Sequence, residues 1–99
     1  MTNEQEFDRV VRKMCRESGD QLGYRPSRFL QMVDRYGAVT TTRKLLRRQQ
    51  TSDGLKRLVR AGRSDLTIEA LVLQPRFARL FTAMERVYAQ QNLDAARNQ

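Results

Sequence analysis

Histidine and tryptophan are absent from this chain of 99 residues, cysteine occurs once and proline only twice. Without histidine the chain lacks the commonest general base, every Ser/His or Cys/His nucleophilic pair and the usual imidazole metal ligand. The lone Cys15 can form neither an internal disulfide nor a cysteine zinc site, so nothing calls for an oxidising compartment. With so little Pro and only five Gly, low-complexity linkers and long disordered tails are not expected. No apolar run approaches the roughly 20 residues that span a bilayer. The polar, acidic start Met1–Glu6 does not read as a signal peptide. These exclusions predict a soluble, cytoplasmic protein of one domain, with an ordered core over about residues 4–93 and a fraying polar tail over 94–99. They predict no cofactor and no metal.

Basic charge is plentiful. Lys and Arg number 19 against 11 Asp and Glu, a net +8, and the excess is local. Residues 1–42 carry net +1 and residues 64–99 carry none, whereas 43–63 hold Arg43, Lys44, Arg47, Arg48, Lys56, Arg57, Arg60 and Arg63 against Asp53 alone, net +7. Basic residues scattered for solubility do not cluster in this way; an anion-binding face does. The competing reading is a solvated pair of Arg-rich helices with no partner.

The apolar spacing is helical throughout. Phe7, Val10, Val11, Met14, Cys15, Ser18 and Leu22 follow the i, i+3, i+4 rule of one helix face. Asn3 is the expected cap, with Glu6 completing a capping box, and Gly23 the expected end. Pro26 suits the first position of a second helix that buries Phe29, Leu30, Val33 and Tyr36 and stops at Gly37. A third helix points Val39, Thr42, Leu45, Leu46 and Gln49 inward and fans Arg43, Lys44, Arg47 and Arg48 outward. After a loop capped by Ser52 or Asp53, a fourth helix buries Leu55, Leu58 and Val59. The stretch Asp65–Leu73, capped by Asp65 or Thr67, reads as the central helix, interrupted by Pro75. Thr82 and Glu85 form a capping box before a last helix with Met84, Val87, Tyr88 and Gln91 inward. The fold class is all-α, six or seven short helices.

Residues 27–50 have the outline of a helix-turn-helix, which would present Thr40, Thr41, Arg43, Lys44, Arg47 and Gln50 to a DNA groove. Arg43 falls where that motif wants an aliphatic residue, so a looser phosphate-binding patch of Arg forks is the alternative. No aromatic residue lies between Tyr36 and Phe77, which favours duplex over stacked single strands. Asp65 and Glu69 fit cap and first-turn roles better than catalysis or a magnesium site, and Cys15 fits a core thiol better than a nucleophile. Membrane binding is not expected, because these helices use their apolar residues on the core.

The run Gly23-Tyr24, Phe29-Leu30-Gln31-Met32, Gly37, Leu45-Leu46, Gly54-Leu55, Leu58, Gly62-Arg63, Asp65-Leu66-Thr67, Glu69-Ala70-Leu71-Val72, Phe77 and Leu80-Phe81-Thr82 resembles a widespread family of short, uncharacterised bacterial all-helical modules. Ser64 stands where that family usually has Leu, and Arg25-Pro26-Ser27 where it tends to have Asn-x-Thr. The resemblance covers roughly residues 7–93 and implies a bacterial origin, a compact helical fold and adaptor-like use; it implies no catalytic residues. It also offers a second site, around Tyr24, Arg63, Asp65 and Glu69, for which a plain Arg63–Glu69 or Arg63–Asp65 pair pinning the turn is the simpler account. The sequence therefore predicts a non-enzymatic module that binds nucleic acid through residues 43–63. The alternative is a protein-interaction module of a bacterial defence or toxin-type system. That module would dock an acidic protein on the basic face, or form a homodimer through an apolar patch at Phe77, Leu80, Phe81 and Tyr88.

Overall fold

Periodicity and caps resolve, in the computed structural model, into six α-helices and two 3₁₀ turns; residues 1–98 are described, and no strand occurs among them. The helices are α1 (Asn3–Leu22), α2 (Ser27–Tyr36), α3 (Ala38–Arg47), α4 (Asp53–Arg60), α5 (Ile68–Val72) and α6 (Ala83–Arg97), with 3₁₀ turns at Ser64–Leu66 and Pro75–Leu80. None of these helices is long and apolar enough to cross a membrane.

The expected apolar stripe of α1 is its buried face: Phe7, Val10, Val11, Met14, Cys15 and Ser18 all lie inside. Gly23 closes the helix in the left-handed region (φ 68°), where a Cβ would be strained. The start differs by one residue. Thr2, not Asn3, is the cap, and Gln5 in place of Glu6 returns the reciprocal bond, because Gln at the third helical position completes the box as well as Glu does. Pro26 likewise precedes α2 and does not begin it.

Helices α2 and α3 meet at one residue, Gly37 (φ 85°, ψ 158°), a conformation open to glycine. With no side-chain cap of its own, α3 takes a donor–acceptor pair from elsewhere: Ala38 N–H donates to Asp8 Oδ2 of α1 at 3.2 Å. Asp8 also holds Arg12 at 2.6 Å, and Arg12 holds Asp34 of α2 at 2.6 Å, so these two carboxylates tie three helices together. Thr42 and Leu46 are buried as expected, whereas Gln49 and Tyr36 are exposed: Gln49 has already left the helix with φ 53°, and Tyr36 offers its ring to Lys44 Nζ at 3.8 Å.

The core is centred on Phe7, whose ring meets Phe77 and Phe81 edge-on at 5.1 and 5.2 Å. This closes Phe77 and Phe81 inside the molecule and corrects the expected apolar patch for a homodimer: two of its four members are core. The face of α6 also needs correction. Glu85, Ala89, Asn92, Leu93 and Ala96 point inward, while Met84 and Val87 are 55% and 44% exposed and Gln91 is exposed. Glu85 sits on this inward face because its carboxylate is engaged at the N-terminus and by two arginines described below. Within the expected tail 94–99 the helix continues to Arg97, and Ala96 packs with Leu55 and Leu93; Gln99 lies outside the described residues.

Candidate nucleic-acid interface and the adjoining cavity

Helical spacing divides the cations of α3 and its C-cap residue Arg48 into two pairs, since residues four apart share a face and neighbours differ by about 100°. Arg43 and Arg47 turn toward α6, where both reach Glu85 Oε2, at 2.9 and 3.4 Å. The other carboxylate oxygen of Glu85 accepts from Thr82 N–H at 2.9 Å, completing the predicted capping box. Burial pushes the Glu85 carboxyl up, but the Arg43 hydrogen bond, the Thr82 N–H and the charges of both arginines outweigh it and hold the group below its ordinary value.

Lys44 and Arg48 face the other way and line a cavity instead. On α4, Arg57 lies over the Tyr24 ring at 5.4 Å, and Lys56 and Arg60 make no ion pair among the described residues. Arg63 grips Asp65 through two N–H groups at 3.1 Å each and donates to Gln21. The eight predicted cations thus do not form one uniform face: Arg43, Arg47 and Arg63 are tied to carboxylates, and five remain without one. The groove-reading version of α3 also loses Thr41, which is buried.

The second predicted site is split as well. Arg63 and Asp65 form the simple pair, while Tyr24 and Glu69 line a cavity of about 530 Å³ among α1–α5. Arg25 and Arg28, absent from the sequence-based site, line it too. Gly54 belongs to its wall for a steric reason: a Cβ there would fall 2.0 Å from the Tyr24 hydroxyl, so only glycine lets the phenol lie against α4. Cys15 faces the same space, and burial pushes its thiol up to about 11, which makes it a poor nucleophile.

Glu69 is the group that sequence reasoning placed least well. It occupies the first turn of α5 as expected, but it is buried, and no other described residue donates to it or pairs with it. The available signal was a single carboxylate inside the stretch Ile68–Leu73, otherwise wholly apolar. Burial pushes it up to about 6, from an ordinary 4.5. Below pH 4.5 Glu69 is neutral folded or unfolded; between 4.5 and 6 the unfolded chain ionises first, so folding loses about 2 kcal/mol as pH rises through that window. The stability of Glu69→Gln relative to the parent, measured by urea unfolding, is therefore expected to improve by about 2 kcal/mol between pH 4 and pH 7. A difference that does not change with pH would show that burial does not perturb this carboxyl.

Comparison of the chain with protein-family models, curated proteins and solved structures finds no match.

Proposed function

We propose that this chain is a non-enzymatic cytoplasmic module that binds duplex nucleic acid by neutralising phosphates with the free cations of residues 43–63. One observation carries the reading: Lys44, Arg48, Lys56, Arg57 and Arg60 meet no carboxylate within ion-pair distance among the described residues, and Asp53 is the only acidic residue of that segment. A solvated face balanced by its own acidic neighbours would not leave five cations unanswered. Arg forks suit phosphate oxygens, and each neutralised phosphate releases condensed counterions. The absence of aromatics from the segment favours backbone contact over base stacking.

Fluorescence anisotropy with a labelled DNA duplex tests this. The slope of log K against log salt is expected at about −3.6 to −4.5, corresponding to four or five phosphate contacts at about 0.9 each. Arg48→Glu/Arg57→Glu/Arg60→Glu should abolish binding with an unchanged helical circular-dichroism spectrum. Failure to bind any duplex at low salt ends the proposal. Binding of polyglutamate but not of duplex would assign the face to an acidic protein partner.

A further inference from the structure

The cavity beside the basic face holds an arrangement that phosphate binding does not use. Its outer lining includes the exposed Arg25, Arg28, Lys44 and Arg48. Its walls are apolar, with Phe29, Met32 and Leu45 from α2 and α3 opposite Leu55, Leu58 and Ile68 from α4 and α5. Its inner polar groups fall into two kinds. Ser18 and Thr67 are engaged, Ser18 Oγ donating to the Tyr24 carbonyl at 2.8 Å and Thr67 Oγ1 to the Ser64 carbonyl at 2.7 Å. Glu69 and Thr41 are not: the Thr41 hydroxyl has no partner, and no other described residue donates to the Glu69 carboxylate although both side chains are buried.

A buried carboxylate that no other described residue donates to or pairs with, only its own backbone N–H lowering it, is costly and demands a reason. None of the cations lining the same cavity comes within ion-pair distance of it, so they do not answer its charge. The volume falls in the range of about 300–1,000 Å³ that holds small organic ligands, and the mix of apolar walls with a few placed polar groups is typical of such sites.

We propose that this cavity binds a small amphipathic anion: its anionic group rests among Arg25, Arg28, Lys44 and Arg48, its apolar body fills the space between α2, α3, α4 and α5, and a hydroxyl or amine at its far end donates to Glu69. The inference is separate from the nucleic-acid reading, although Lys44 and Arg48 border both surfaces.

Isothermal titration with three probes of one chain length tests it: ω-hydroxydecanoate, decanoate and decylammonium. The hydroxy acid is expected to bind most tightly, decanoate about tenfold more weakly for want of the donor, and decylammonium, which offers Glu69 a donor but the four cations no anion, most weakly of the three. Glu69→Ala should erase the difference between the two acids. Arg28→Glu should weaken both. Leu45→Trp should block both by filling the cavity while leaving the cations in place, and Ile68→Phe serves the same purpose should the Trp variant fail to fold. Lys56→Glu/Arg60→Glu, whose side chains are not part of the cavity, should lose duplex binding and retain the acids, which separates failure of one reading from failure of the other. Three results overturn the proposal: no saturable binding of either acid, decylammonium binding as well as decanoate, or undiminished binding in a folded cavity-filled variant. Capture of a peptide through its C-terminal carboxylate and an apolar last residue, with neither acid bound, also overturns it and assigns the cavity to a protein terminus.

Discussion

Phe7→Ala is expected to remove about 3–5 kcal/mol of folding stability, the usual cost of truncating a fully buried aromatic residue. Phe7 has no exposed surface and joins α1 to the 3₁₀ turn at Pro75–Leu80 through its contacts with Phe77 and Phe81. The loss has two parts: apolar area returned to water, and edge-to-face contacts worth about 0.5–1.5 kcal/mol beyond that area. Against a total of about 5–15 kcal/mol for a domain, the variant should unfold at a far lower urea concentration and populate unfolded chains at physiological temperature. Met84→Ala is the matched control. Met84 would be core on the sequence-based face of α6, but the structure leaves it largely exposed, so its truncation should change stability by no more than about 0.5 kcal/mol. A large effect at Met84 would restore the sequence-based face.

The contrast between these two residues shows what is legible in one dimension. Signals that act over one turn were readable: a cap at Ser52 or Asp53, which the fold gives to Ser52, the Thr82–Glu85 box, and glycine at 23 and 37, each with positive φ in the fold. The buried stripe of α1 was readable too, because a helix of 20 residues gives periodicity enough turns to average over. On α6 the apolar spacing misled at Met84 and Val87, while Tyr88 does pack against the core: the buried face is carried by the apolar residues Ala89, Leu93 and Ala96 together with Glu85, which Arg43 engages from 42 residues away. The basic segment was found by composition alone, but composition could not tell that α3 directs Arg43 and Arg47 to one side and Lys44 and Arg48 to the other. The cavity left no trace of its own, being made where five elements meet.

Glu85 therefore couples the fold to the basic face, and its removal should have opposite effects on the two. Glu85→Ala deletes the half of the capping box given to Thr82 N–H, worth about 1 kcal/mol, and a charge-assisted hydrogen bond of about 1.5–3 kcal/mol. Arg43 is 38% exposed at its side chain and can rehydrate, so the pair counts for the lower end and the total is about 2–3 kcal/mol. Glu85→Gln keeps a competent capping residue and should lose only about 1–2 kcal/mol. The pH dependence follows from the lowered carboxyl: its contribution is fully present above the ordinary 4.5 and is lost as pH falls through the folded value, so the gap between Glu85→Gln and the parent should close in acid. This is opposite in sign to the effect at Glu69, and the two variants together separate the carboxylates. Both Glu85 variants also free Arg43 and Arg47. If phosphates are what this face meets, duplex affinity should rise as stability falls, and the salt slope should steepen by up to about two contacts. Loss of affinity in a folded Glu85→Gln protein would mean that the Arg43–Glu85–Arg47 arrangement is itself what the partner recognises.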